Sequence, residues 1–229
     1  MTNSTIQAVS HGVVSHFWVG TFPFFETTLF VAPPVFSPPG EPTRVRLFDA
    51  DGALFNEASV EVEPGRVGVF ELDQFLGGCK LESGLRHGHL EVISPVGTRH
   101  LCRLHNRLGA VAYEEAGTLS VHRSLFHPVS LAVGLDHVVC LLNRSEGAGI
   151  VKVRLFLGKR SPECFVEVPA RGARLVSLAA EFGVASGGES LPGYLRVSTK
   201  GDQVFGVQFL SRSGSRDDRS DADSYAVVS

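Results

Sequence analysis

Val45-Arg-Leu-Phe48 recurs as Val153-Arg-Leu-Phe156, and the recurrence does not stop there. Twelve and ten residues further on respectively, Val60-Glu-Val62 returns as Val166-Glu-Val168, each followed without a gap by a turn and an apolar segment ending at Leu72 or Leu178. Gly88-His-Leu-Glu-Val92 then matches Gly193-Tyr-Leu-Arg-Val197, and Arg107 falls opposite Arg212. Chance supplies one short match, not several in order at near-constant spacing over roughly sixty residues. The chain therefore reads as two copies of one domain, over 15–108 and 120–213, with an N-terminal arm 1–14, a connection 109–119 and a disordered tail 214–229.

Inside each copy the pattern is that of strands. Val151-Lys-Val-Arg-Leu-Phe-Leu157 alternates Val and Leu with Lys, Arg and Phe, the period of two that marks a half-buried strand. Asp49-Ala-Asp-Gly52 supplies hairpin chemistry in the first copy and Gly158-Lys-Arg-Ser-Pro162 in the second. Helix candidates are single turns ending in glycine, Asp73-Gln-Phe-Leu-Gly77 and Ala179-Ala-Glu-Phe-Gly183. Six or seven short strands per copy, with turn signals every 8–12 residues, predict an all-β protein: two tandem antiparallel β-sandwiches. The connection, which includes Leu108-Gly-Ala-Val-Ala-Tyr113, is moderately apolar, so the sandwiches are expected to pack against each other.

Composition agrees and narrows the function classes. The 229 residues are 43% hydrophobic and 20% charged, enough apolar material for real cores. The 25 Gly and 12 Pro punctuate many turns. A formal charge of −3 gives no basic footprint for nucleic acid, and no apolar run approaches the length of a membrane helix. The opening Met1-Thr-Asn-Ser-Thr-Ile lacks the basic and apolar regions of a secretory signal, so the expectation is a soluble cytoplasmic protein without membrane insertion. The four cysteines, Cys79, Cys102, Cys140 and Cys164, are widely spaced and read as free thiols.

In the second copy, Asp136-His-Val-Val-Cys-Leu-Leu-Asn143, the strand 151–157 and Val166-Glu-Val-Pro-Ala-Arg171 together resemble the small cytoplasmic transducer proteins that accompany sensory rhodopsins in bacteria. Those proteins are similar in carrying a strand of the type V-C-I-L-N, a hairpin, and V-P-A-R before another strand. The resemblance covers about 136–212. It implies a compact antiparallel β-sandwich that forms a homotetramer and relays signals by protein contact, without catalysis. The first copy departs from the pattern, with Pro33 where Asn143 falls and Glu63-Pro-Gly-Arg66 in place of the Pro-Ala-Arg turn.

Candidate chemistry centres on histidine. His87-Gly-His89 puts two imidazoles on one side of an extended segment, and His105 follows later, so these three form the candidate divalent-metal set of a cupin-like enzyme, since neutral imidazole suits such ions. The spacing argues against it: Glu91 lies two residues after His89, where a cupin's carboxylate lies four or five after. His100 shares a face with Cys102 and Leu104 and reads as a hydrogen-bonded core residue. Arg99, Arg103 and Arg107 recur every four residues and form a candidate phosphate stripe. No G-x-S-x-G, H-E-x-x-H, Walker or G-x-G-x-x-G signature is present. Carbohydrate modules present exposed Trp or Tyr, and here Trp18 and three Tyr are the whole supply, so small-ligand or sugar binding comes third. An aromatic cluster, Phe17, Trp18, Phe22, Phe24, Phe25 and Phe30, is the candidate interface for self-association or partner docking. The expectation is a non-enzymatic protein without catalytic residues or cofactor, acting through contact with itself and with another protein.

Overall fold

The computed structural model describes residues 12–20, 26–36, 41–72, 87–106, 109–113, 115–132, 135–183, 191–213 and 225–226. The first half carries β1 (Val13–Gly20), β2 (Glu26–Ala32), β3 (Thr43–Phe48), β4 (Leu54–Val60), β5 (Gly68–Glu71), β6 (His87–Ser94), β7 (Arg99–Asn106) and β8 (Gly109–Tyr113). The second carries β9 (Gly117–Leu119), β10 (Leu125–Leu131), β11 (Leu135–Asn143), β12 (Gly149–Phe156), β13 (Glu163–Val168), β14 (Ala173–Ser177), α1 (Leu178–Phe182), β15 (Leu191–Thr199), β16 (Phe205–Ser213) and β17 (Tyr225–Ala226).

All strand pairs are antiparallel, and the duplication is repeated in the topology. One sheet of the first half has the order β1-β6-β3-β4 and its counterpart is β10-β15-β12-β13. The other has β5-β2-β7-β8, matched by β14-β11-β16-β17. Each half closes around its own apolar core. Phe17, Leu29, Val45, Leu47, Leu90, Val92 and Cys102 fill the first, and Val139, Leu141, Val153, Leu155, Leu195, Val197 and Phe205 are among those that fill the second. The alternation read in 151–157 is realised literally, with Val151, Val153 and Leu155 at 0% exposure and Lys152, Arg154 and Phe156 on the other side.

Turn chemistry lies where the sequence places it. Asp49 Oδ1 accepts the N–H groups of Asp51 and Ala53 at 3.0 and 2.8 Å, and Gly52 has φ 87°. Helix α1 is one turn, with Ser177 capping the N–H of Ala180 at 3.1 Å and Gly183 closing it at φ 60°. The 73–77 candidate lies outside the described residues. The connection is more structured than its sequence suggests, because β8 extends the first half by pairing with β7 while β9 pairs with β16 in the second. In the tail, Tyr225 and Ala226 pair with β16, and its other residues lie outside the described set.

Candidate functional site

The alternation that sends Phe17, Leu90 and Val92 into the first core leaves His16, Trp18, His89 and Glu91 on the outer side of the same sheet. Register then builds two rows across that outer face. His16, Glu91, Arg46 and Glu57 stand opposite one another on β1, β6, β3 and β4, and Trp18, His89 and Phe48 form the neighbouring row. An outer sheet face with this much charge is ordinarily wet. Here Trp18 is 1%, His89 0% and Glu91 3% exposed, because the β14-β11-β16 sheet of the second half covers the face. Trp18 packs with Val138, Cys140, Leu142, Ala173 and Leu210 in a third apolar cluster that joins the two sandwiches.

Beside that cluster the contact is polar and joined by hydrogen bonds. The His89 Nδ1–H donates to the Arg171 carbonyl at 2.8 Å, which leaves Nε2 as an acceptor for the His16 Nδ1–H at 2.9 Å, so a single neutral tautomer of each ring satisfies both bonds. The Arg171 guanidinium donates to Glu91 at 2.8 Å and to Glu146, and Arg46 approaches the other Glu91 oxygen at 3.4 Å. Arg174 donates to the Ala50 carbonyl at 2.6 Å and to Asp51 at 2.9 Å, and the Ala173 N–H donates to the same Ala50 carbonyl at 3.0 Å. Arg171 takes a left-handed backbone, φ 57°, at the position equivalent to Gly65, φ 76°. It is the one non-glycine residue with positive φ among the described residues, and its carbonyl and guanidinium both serve the contact.

Burial keeps these imidazoles neutral. Desolvation, with help from His89 and the nearby Arg144 and Arg171, lowers the pKa of His16 to about 2. Desolvation brings His89 down to about 4, against the opposing hydrogen bond to Arg171. His87, stacked on Trp18 at 5.9 Å, is likewise lowered by burial to about 4.

The equivalent face in the second half has a different fate. Register places Phe126 where His16 stands, Pro128 for Trp18, Tyr194 for His89, Arg196 for Glu91, Arg154 for Arg46 and Phe156 for Phe48. Phe126 is 63%, Phe165 53% and Tyr194 45% exposed. Tyr194 and Phe156 stack at 4.4 Å, Arg154 lies 4.9 Å over Phe156, Arg196 5.9 Å over Phe126, and Lys152 and Lys200 lie over Phe165. Four aromatic rings, all with cations above them or rings beside them, thus cover an open sheet face.

The residues singled out in the sequence are dispersed. Phe17 lies in the first core and Trp18 in the contact between sandwiches, so both are packed within the chain. Phe30 is half-buried on β2, and Phe22, Phe24 and Phe25 lie outside the described residues. His87 and His89 share the outer face of β6, as H-x-H alternation requires, but His105 sits on β7 of the other sheet, 2.7 Å from Glu26. Both His89 nitrogens are engaged by protein partners, and no group of three or more metal-ligating side chains gathers among the described residues. His100 is a core histidine, bonded to the Ser15 and Ser94 hydroxyls at 2.9 and 2.8 Å. Arg99 and Arg103 are on β7, and Arg107 is outside the described residues.

Two features escaped the sequence. The joining cluster of His16, Glu91 and Arg171 unites residues far apart in the chain, Glu91 and Arg171 alone being 80 positions from each other, and nothing in their local pattern distinguishes a covered outer face from a wet one. The aromatic face was legible in part, since Lys152, Arg154 and Phe156 already fell on the outer side of their strand; aligning Tyr194 with His89 extends it.

No family model matches the chain, and no curated protein does. Among solved structures, the crystal structure of tripeptidyl peptidase 2 (TPP II) is similar at 8% identity and TM-score 0.33, covering 89% of this chain and 20% of that one. Infectious bursal disease virus Gx strain gives 10% identity and TM-score 0.22, covering 86% of this chain and 56% of that one. The Gt strain of the virus gives 9% and 0.14, covering 98% and 72%. The chain thus spans only a fraction of the first two, and likenesses this distant carry nothing about its activity.

Proposed function

We propose that this chain is a non-enzymatic tandem β-sandwich protein that acts by protein–protein contact, as a signal-relay or scaffold component, and that it associates with itself. The observation that carries the reading is the unequal fate of one duplicated face. In the first sandwich it is covered by a protein sheet, while in the second it stands open with Phe126, Phe165 and Tyr194 at 45–63% exposure. Exposed aromatic and arginine side chains spread across a sheet face have the composition of protein contact surfaces. Relay of the kind performed by rhodopsin transducers is one form of such contact. The free thiols of Cys140 and Cys164 fit a reducing, cytoplasmic setting. No helix among the described residues is long and apolar enough to cross a membrane.

The test is co-purification of the untagged chain from its own host, wild type against Tyr194→Asp. Proteins that accompany the wild type and are lost from the variant support the reading; an identical set with both contradicts it. Metal analysis of the same wild-type preparation supplies a second arm, because stoichiometric metal that disappears in His89→Ala argues for the cupin-like alternative.

A further inference from the structure

The contact inside the chain has a direction. The receiving surface is the outer face of β1-β6-β3 in the first sandwich, and what meets it is the β14-β11-β16 sheet of the second, led by the end that holds the segment after β11 and the turn between β13 and β14, with Glu146, Arg171 and Arg174. Because the sandwiches are duplicates, each surface has a counterpart. The second sandwich keeps an open receiving face, and the first keeps an equivalent end, which includes the turn between β4 and β5 and the described residues after β2, where Val35, Phe36 and Val67 are exposed.

The two counterparts differ from the originals in matching ways. On the receiving face, His16, His89 and Glu91 become Phe126, Tyr194 and Arg196. On the entering end, the matching turn bonds of Arg66 to Glu63 and of Gly172 to Pro169 set Gly65 in the place of Arg171, and Val35 and Phe36 stand in the segment after β2, as Glu146 stands in the segment after β11. The polar pair of surfaces is thereby exchanged for an apolar and aromatic pair. The charge change is compatible as well: an arginine at the Gly65 position would face Arg196, and glycine removes that repulsion.

The free end is apolar and solvent-exposed. Phe36 is 96%, Val35 68%, Val67 60%, Val96 58% and Val69 53% exposed. They belong to one end of the sandwich. The Gly65 N–H donates to the Pro33 carbonyl at 3.3 Å, Gly65 lies against Val35, and Gly97, beside Val96, lies against Pro34. Apolar patches of this kind mark contact sites, and the face that complements them chemically is on the other half of the same molecule.

We infer that the open aromatic face of the second sandwich binds the Val35–Phe36 end of the first sandwich of another copy of this chain, so that chains join head to tail through the same arrangement that joins the two sandwiches within one chain. The inference rests on the protein-contact reading and names its partner and both surfaces. Such a contact is heterologous, with different surfaces on the two sides, and it propagates into a ring or a filament.

Directionality makes the test sharp. The purified full chain is compared with Phe36→Asp, which blocks the entering end, and Tyr194→Asp, which blocks the receiving face; both side chains are exposed, and circular dichroism checks that each variant keeps the wild-type fold. Phe126→Asp serves as a second variant of the face. By light scattering, the wild type is expected to exceed dimer mass and grow with concentration, and each variant alone to stay monomeric. An equimolar mixture of Phe36→Asp and Tyr194→Asp is expected to stop at the dimer, because one intact face meets one intact end and both outward surfaces are blocked. A monomeric wild type at high concentration overturns the head-to-tail contact. Oligomers that survive both variants overturn it too, while leaving the protein-contact reading in place with its surface elsewhere.

Discussion

Arg171 concentrates the demands of the fold on one residue. Its backbone is left-handed, a conformation that costs an L-residue about 1–2 kcal/mol, yet its carbonyl orients His89 and its guanidinium bridges Glu91 and Glu146. Replacing it with alanine keeps the strain and leaves the buried Glu91 with Arg46 alone, a change expected to cost about 3 kcal/mol in denaturant unfolding. Arg171→Gly removes the same ion pair but relieves the backbone, so it is expected to be about 1 kcal/mol more stable than Arg171→Ala. Equal stability of the two variants contradicts this account. The sequence displayed Arg171 only as part of a turn motif; its role depends on a carboxylate 80 positions away, beyond the reach of local pattern.

The buried histidines set a pH window. Folding holds His87, His89 and His100 near pKa 4 and His16 near 2, all below the ordinary 6.5, mainly by desolvation. The fold therefore favours the neutral rings: their contribution is complete above pH 6.5 and is lost as pH falls through the interval down to about 4, the unfolded chain taking up protons first. Each histidine contributes a slope of about 1.4 kcal/mol per pH unit in that interval. Urea unfolding at a series of pH values is expected to show a plateau at neutral pH and a steep decline below it. A flat profile through the interval contradicts burial of the neutral rings.

Among the elements, the duplicated β6 and β15 show why the repeat is conspicuous. Gly88 and Gly193 open the two matching segments, and a Cβ on either would come within 2.5 Å of a carbonyl oxygen on the neighbouring strand, Phe48 in one and Phe156 in the other. The glycine in the motif therefore answers a close backbone approach, and both copies retain it because both keep the same strand neighbour. Gly88→Ala and Gly193→Ala are each expected to destabilise the protein by about 1–3 kcal/mol in thermal or chemical unfolding; a neutral effect at either position contradicts the shared geometry. The strand over 151–157, the Asp49–Gly52 turn and the glycine-closed helix α1 were legible, because alternation and positive-φ glycine are local. The pairing of β9 with β16 and of β8 with β7 was not, since edge strands of three and five residues carry too little alternation to stand apart from a connecting loop.

For the whole molecule, two sandwiches of this size gain stability by covering one another, and the covering surface is where the copies have diverged. Gly52 shows how close the fit is. A Cβ there would lie 1.8 Å from the Ala170 carbonyl across the contact, so Gly52→Ala is expected to loosen the sandwiches from each other while sparing each core. Dye binding and a split unfolding transition are the readouts, and a single wild-type-like transition contradicts the prediction. The sequence made the docking expected through its apolar connection, but which face docks was hidden, because a histidine, a glutamate and an arginine on an outer face look solvated until the partner sheet is in place.

In the proposed arrangement one duplicated sheet face docks protein twice over, within the chain in the first sandwich and between chains in the second. Sedimentation velocity of the wild-type chain over a dilution series from high-micromolar to nanomolar concentration measures this most directly. The sedimentation coefficient is expected to fall on dilution toward that of a single chain. One unchanging monomeric species across the whole series would contradict that arrangement.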